Sequence, residues 1–545
     1  MNVVASRLLS ARSAVLCAGF ALVGSVSSIA QPWQFTEVSA QAQVAYPTGG
    51  GLTSAPRIMG GGVAAGDFDG DGWVDLYVVR IDVGDNVLLR NMGNGTFTEV
   101  TGNGLNASSG SGPTFADLDG DGRLDLVVGG IDGALTRIFR NLGGGQFAEI
   151  PGGLSTNPPD VYSTALGDYD RDGDLDLVTT HWASNPRPRL WRNNGSGSFA
   201  EVPAATAGFS PGPTQIYSFT PNFTDINNDG WPDLLLSADF GTSQVYINNR
   251  NGSFTRTTDN GVITDENGMG SAIGDYDHDG DLDWFVSSIF DSSGTPAGNW
   301  GTSGNRLYRN RGDGTFEDVT SPAGVREGYW GWGSSFSDFN NDGNLDIFHV
   351  NGFPDSPFVA DPARMFVSNG NGTFTELAEQ LGIADTGEGR GIVVFDYDRD
   401  GDLDVFITNA DQETRLYRND GGNALRWLDV RLRGVAPNTQ GIGSKIYVTA
   451  NGYTQLYEIR AASNFVSQSP AEAHFGLANA TAASEVRVVW PNGTTSVQTG
   501  VSANQVVGFD QAGGQITNVP TLGARELAIL AILLAVVAVR LLGRS

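Results

Sequence analysis

One nine-residue pattern recurs seven times along the chain, with Asp at position 1, Asp or Asn at 3, Asp at 5, Gly at 6 and Asp at 9, and each copy runs straight into an apolar stretch of β type. The copies begin at Asp67, Asp117, Asp168, Asp225, Asp275, Asp338 and Asp396. Asp is favoured at bends, which accounts for one such turn but not for seven with the same spacing.

Carboxylates at alternate positions, joined by the backbone carbonyl of position 7, place oxygens around one point, and Gly permits the sharp turn. That is the chemistry of a hard cation. The candidate ligands are Asp67, Asp69, Asp71, Trp73 and Asp75 in the first loop, and Asp117, Asp119, Asp121, Arg123 and Asp125 in the second. Asp168, Asp170, Asp172, Asp174 and Asp176 follow, then Asp225, Asn227, Asp229, Trp231 and Asp233. The fifth set is Asp275, Asp277, Asp279, Asp281 and Asp283; the sixth is Asp338, Asn340, Asp342, Asn344 and Asp346. The seventh is Asp396, Asp398, Asp400, Asp402 and Asp404. Calcium is the expected occupant, up to seven ions, because it accepts six to eight irregular oxygens where magnesium wants a rigid octahedron. Two carboxylates about 5 Å apart repel by roughly 3 kcal/mol at an effective dielectric near 20, so the loops are expected to need a cation.

The formal net charge is −29 and the pI about 4.3. The seven loops hold 29 aspartates, and Lys445 is the only lysine. Such a surface repels phosphate, so nucleic acid is excluded as a partner.

Residues 1–30 read as a secretory signal: Arg7 and Arg12, an apolar stretch from Ala14 to Val26, and Ser28, Ile29, Ala30 as a small-x-small cleavage site. The only cysteine, Cys17, lies inside it, so the exported protein is expected to carry no disulfide. At the other end, Val519, Pro520, Thr521 and Leu522 precede an apolar run from Leu527 to Val539, then Arg540 and Arg544. This tail resembles the IPTL-type C-terminal sorting signal of Gram-negative bacteria. The resemblance implies processing by a sorting protease at the inner membrane and a destination in the periplasm, on the surface or outside the cell. A plain membrane anchor is the alternative, although thirteen uninterrupted apolar residues fall short of the ~20 needed to span a bilayer.

Between these ends no long segment of helical period occurs. Each loop is followed by a strand, and each strand by an apolar and aromatic pair, Asn and a Gly-rich turn closing on Phe. Leu88, Leu89, Arg90, Asn91 with Gly93, Gly95 and Phe97 is one example; Leu307, Tyr308, Arg309, Asn310 with Gly312, Gly314 and Phe316 is another. Strand, acidic turn, strand, hairpin and strand make one four-stranded blade. The expected fold class is all-β, a seven-bladed propeller over 31–423 followed by a small β-rich domain. The seventh repeat stops at Gly422 without its closing strand, and Trp33 to Val38 matches Phe97, Thr98, Glu99, Val100. That N-terminal segment is expected to pair into blade 7 and close the ring.

These motifs resemble the FG-GAP or VCBS repeat family, the calcium-loop propellers found in integrin α-chains and many bacterial secreted proteins. The resemblance implies calcium at each loop, in a structural role. Over 424–512, period-two alternation at Leu428, Val430 and Leu432 marks a strand. Gln440 to Lys445, Ser467 to Ser469 with His474, and Val488 to Gly493 resemble the ASPIC/UnbV domain, which follows FG-GAP propellers in the cartilage acidic protein family. Residues 513–545 are linker and sorting segment.

Catalytic signals are thin. His278 reads as a solvated side chain within a loop, and His181 and His349 as strand-end histidines. The match Gly208 to Gly212 to a nucleophile elbow fails because Pro211 has no N–H for an oxyanion. Arg311, Gly312, Asp313 sits in the same hairpin as its sisters, and Tyr329, Trp330 and Trp332 are expected in a blade core. The expected function is a non-enzymatic, calcium-stabilised surface or secreted binding protein, monomeric, presenting propeller faces to a protein or glycan. The alternative is a secreted hydrolase or lyase acting on polysaccharide, with its pocket at the propeller centre.

Overall fold

The computed structural model describes residues 33–51, 54–105, 110–156, 160–182, 187–210, 213, 215–293, 301–461, 464–513 and 515–516. Residues 1–30, expected as an export signal, and the tail from Val519, expected as a sorting signal, lie outside this set. Among the described residues, no helix is long and apolar enough to cross a membrane.

Seven antiparallel four-stranded sheets form the blades. Blade 1 runs Val63–Gly66, Asp75–Val78, Val87–Asn91 and Phe97–Glu99. The innermost strands of blades 2 to 7 are Ser111–Ala116, Val161–Gly167, Tyr217–Thr224, Ser271–Gly274, Gly331–Ser337 and Gly389–Phe395. Each innermost strand neighbours the next, and that of blade 7 neighbours that of blade 1, so the ring is closed. Apolar residues from facing blades fill the spaces between them: Val393, Phe395 and Phe406 of blade 7 share one cluster with Val63, Leu76 and Leu89 of blade 1.

Blade 7 takes its fourth strand from the N-terminal end of the described chain. Gln34–Glu37 pairs antiparallel with Arg415–Asp420, Phe35 opposite Asn419. Phe35 is buried between Trp33 and Phe339, at ring distances of 5.6 and 5.8 Å. The closure expected from the Trp33 to Val38 match is thus present.

Two further four-stranded sheets follow. In one, Arg426–Arg433 lies between Ala473–Ala478 and Gln505–Asp510, the latter pairing in parallel. In the other, Lys445–Ala450 lies between Tyr453–Glu458 and Ala482–Val489. Leu428, Val430, Ile446, Val448, Val486 and Phe509 are buried between them.

Candidate metal centres and the capped loop face

Strand register places position 9 of every loop first in its second strand, opposite the last residue of the innermost one; Gly66 pairs with Asp75, Gly167 with Asp176 and Phe395 with Asp404. The carboxylate there is buried and clamps the blade. Asp75 accepts hydrogen bonds from the Phe68 N–H at 3.2 Å and the Asn91 N–H at 2.8 Å. Asp125, Asp233, Asp283, Asp346 and Asp404 repeat both bonds. Asp176 keeps the one from Asn193, and its Oδ2 has no partner.

Position 1 organises the turn. Asp67 accepts from the N–H groups of Gly70, Asp71 and Gly72 at 2.8 to 3.1 Å. Position 5 accepts from the N–H of position 7, as Asp71 does from Trp73 at 2.9 Å and Asp229 from Trp231 at 2.8 Å. The remaining oxygens converge. In five loops at least three carboxylates have oxygens within 4.8 Å of one another: Asp67, Asp69 and Asp71; Asp117, Asp119 and Asp125; Asp168, Asp170, Asp172 and Asp176; Asp275, Asp277 and Asp279; Asp396, Asp398 and Asp404. The loops bearing Asn227 and Asn340 bring no such trio together. Buried oxygens of Asp119, Asp168, Asp275, Asp277 and Asp398 have no hydrogen-bond partner. Burial, with neighbouring carboxylates adding to it, pushes Asp168 up to about 7 and Asp275 to about 8. Convergent, unpaired and dehydrated carboxylate oxygens are the donor set a hard dication fits.

The repeated Arg-Asn pair of the third strand has a role that its sequence did not reveal. Arg90 pairs with Asp69 and Asp71 at 2.6 and 2.8 Å, Arg140 with Asp119 at 2.7 Å, and Arg192 with Asp170 and Asp172 at 3.0 and 2.7 Å. The Asn ties blades together. Asn141 Nδ2 donates to the carbonyl of Phe68, in the preceding blade's loop, and to Leu124 in its own. Asn193, Asn248, Asn310 and Asn419 do the same.

Position 4 of each loop adopts positive φ, and where it carries a side chain that side chain reaches the next loop. Arg171 donates to the Gly230 carbonyl and lies 4.5 Å over Trp231; Asn228 donates to Asp281 at 2.6 Å. His278 faces Asn344, Asn341 donates to the Gly401 carbonyl at 2.9 Å, and Arg399 lies 4.4 Å over Trp73. His278 is therefore not a solvated side chain: it is half-buried, its ring tilted against that of Tyr453 at 4.6 Å, with its pKa lowered by burial. Gly70 and Gly120 leave the first two links unmade. His181 and His349 are buried, as are Trp330 and Trp332, the former stacked on Phe353 at 4.0 Å.

The C-terminal sheets sit on these loops and touch all seven. Arg431 donates to the Gly72 carbonyl, Thr439 to Asp117, and Lys445 pairs with Asp225 at 2.9 Å. Pro437 packs against Gly173, Tyr453 reaches His278 and Gly343, and Trp427 covers Gly401. His474 bridges Asp429 at 2.7 Å and Asn341 at 2.6 Å.

From this cap the segment around Asn464 to Ser469 descends along the ring axis and contacts the innermost strand of every blade. Gln468 pairs with Val63 and Ala65 of blade 1 and binds Phe115 of blade 2. The Phe465 carbonyl accepts from Ser163 of blade 3 at 2.9 Å, and its ring lies 5.5 Å from Phe219 of blade 4. The Asn464 carbonyl accepts from the N–H groups of Ser271 and Ser334, and its amide donates to Ile392 at 2.8 Å. Glycines mark where the segment passes: a Cβ at Gly62 would collide with the Val466 carbonyl and one at Gly391 with Ser467. The small β domain, separate by sequence pattern, is sewn to the propeller on its face and through its centre.

The FG-GAP-like repeat family profile matches residues 67–128, 117–179, 181–236, 225–286, 296–349 and 358–407, and the ASPIC and UnbV profile residues 434–516. Cartilage acidic protein 1 of Mus musculus is 28% identical over 284 residues, covering 48% of this chain and 40% of that protein. The Homo sapiens protein is 27% identical over 284 residues, covering 48% and 39%. The chain thus spans about two-fifths of the length of these relatives. Among solved structures, rhamnogalacturonan lyase YesW is 14% identical, with 71% of this chain and 76% of that chain covered and a TM-score of 0.35.

Proposed function

From the premise that this chain belongs to the family of FG-GAP-like repeat proteins and carries an ASPIC and UnbV domain, we propose that it is an exported, calcium-stabilised binding protein. The observation that carries this reading is the axial segment. A propeller acting on a substrate at its centre needs an open cavity with convergent polar groups, and here Asn464 to Ser469 occupies the axis and hydrogen-bonds the innermost strands. This occupancy of the axis favours binding over the polysaccharide-acting alternative.

The carboxylates gathered in five loops would hold the metal. When bound, calcium neutralises carboxylates that otherwise repel, and so braces the blade turns on which the cap rests. With the loop face capped, ligand contact falls to the opposite face. There Trp182, Tyr217 and the exposed Phe240 cluster at ring distances of 4.9 to 6.2 Å, the Trp182 indole fixed by Asp239 at 2.8 Å. Such fixed aromatics suit a glycan or a protein surface. We read residues 1–30 as an export signal and the segment from Val519 as a sorting signal.

The test is a glycan and protein array probed with the protein and with Trp182→Ala and Phe240→Ala, alongside melting in calcium and in chelator. Binding lost in both variants, and a melting temperature lowered by chelation, are the expected results. A melting curve that ignores chelation would overturn the calcium reading, and full binding by both variants would overturn the assigned face.

A further inference from the structure

The fourth acidic loop differs from its sisters in what stands inside it. Lys445, from the strand Lys445–Ala450 of the C-terminal domain, places Nζ 2.9 Å from Asp225 Oδ2, 3.2 Å from the Asp225 carbonyl and 2.8 Å from Asn228 Oδ1. Asp225 Oδ2 also accepts from the Gly230 N–H at 2.9 Å, and Oδ1 from the Asp229 N–H at 3.0 Å. The second carboxylate, Asp229, is taken by Arg250 at 2.7 Å and by the Asn227 amide at 3.0 Å. Asp233 is clamped to Ile226 and Asn248. Glu458 accepts from the Asp225 N–H at 3.1 Å, closing the ammonium in from the domain side.

From this geometry we infer that the fourth loop holds the Lys445 ammonium in place of a metal ion, and that this ion pair is a calcium-independent anchor of the C-terminal domain. Position 3 is Asn here, so the loop has fewer charges to neutralise, and a dication beside a buried ammonium would meet strong repulsion. Lys445 and Asp225 are both buried, with side-chain exposures of 9% and 7%. Burial opposes the ammonium, but Asp225 and Glu458 more than offset it, and its pKa stays above the ordinary value. The third loop shows the contrast. Of its four clustered carboxylates Asp170 and Asp172 pair with Arg192, and among the described residues no cation of the cap forms an ion pair with any of them.

The metal part of this inference rests on the calcium reading above, so two readouts are needed. Calcium bound per folded chain is counted by equilibrium dialysis for the parent, Asp168→Asn, Asp225→Asn and Lys445→Gln. Asp168→Asn should bind one ion fewer, Asp225→Asn the same number as the parent, and Lys445→Gln one more. An ion lost in Asp225→Asn, or none gained in a folded Lys445→Gln, overturns the proposal.

The second readout uses the fact that Lys445 is the only lysine. Its labelling by an amine reagent, followed by peptide mass spectrometry, should be slow in calcium and in chelator alike, and faster by roughly tenfold or more in Asp225→Asn, where a buried charge loses its partner. Labelling that calcium accelerates would show the metal displacing the lysine and overturn the proposal. If the parent binds no calcium at all, the calcium reading fails and the labelling alone decides the anchor.

Discussion

Gln468 binds the main chain of Phe115 twice: its Oε1 accepts from the Phe115 N–H at 2.7 Å and its Nε2 donates to the Phe115 carbonyl at 2.9 Å. One side-chain amide thus stands in for a neighbouring strand at the axis, where both groups are buried and innermost strands leave their inward edge unpaired. On its other side the Gln468 backbone pairs with blade 1. A single residue spans two blades.

Gln468→Ala should therefore cost roughly 2 to 6 kcal/mol, since each of the two buried main-chain groups left unpaired is worth about 1 to 3 kcal/mol. Denaturant unfolding would measure it. A loss below about 1 kcal/mol would show that the axial contact is incidental.

The dependence of stability on pH should reverse sign with calcium. Burial, the largest cause, raises the carboxyls of Asp176 to about 9, Asp75 to about 8 and Asp125 to about 7, against roughly 3.9 in an unfolded chain. A raised folded-state pKa gives stability that is full below the unfolded value and is lost as pH rises through the folded one. In chelator, the melting temperature should accordingly fall between about pH 5 and pH 8. With saturating calcium it should rise over that range, because the metal needs the carboxylates ionised. Parallel trends in the two buffers would contradict the assignment.

Positions 5 and 9 of one loop should behave differently. Asp75→Ala strands the N–H groups of Phe68 and Asn91 and should destabilise by roughly 2 to 5 kcal/mol with or without metal. Asp71→Ala should chiefly remove the increment due to one ion, about 0.4 to 1.4 kcal/mol at millimolar calcium. Melting of both variants in calcium and in chelator separates a clamp from a ligand; equal sensitivity to chelation in the two would refute the distinction.

Phe35→Ala should cost about 3 to 5 kcal/mol by leaving a cavity between Trp33 and Phe339. Deleting residues 33–38 should open the ring. Size-exclusion chromatography should then show association through the exposed strand Arg415–Asp420. A deletion variant that stayed monomeric and as stable as the parent would show that closure does not depend on this strand.

The blades were legible because each is written locally: acidic turn, apolar strand and Gly-rich hairpin lie within one repeat, and even the displaced Trp33 to Val38 strand kept its Phe-Thr-Glu-Val signature. The loop carboxylates were legible for the same reason. Arg90 and Asn141 were visible as a motif, but their partners belong to another strand or another blade, so their roles needed the fold. Long-range contacts hid the rest. Lys445, Gln468 and His474 stand in segments that identified the C-terminal domain as a type, and all three turn out to bind the propeller. His278 was misread because its cover, Tyr453, comes from that same distant domain.

The axial segment also imposes an order on assembly. The blades are complete in sequence by Asp420, whereas Asn464 to Ser469 emerges from the ribosome later. For that interval the nascent ring must stand with an open bore, its inward-facing Phe115, Ser271 and Ser334 amides met only by water. Domains synthesised first generally fold first, so the last-made part of the molecule would be threaded into the earlier one and act as its keystone. A chain truncated before Asn464 would then be a hollow ring, complete in its blades and unfinished at its centre.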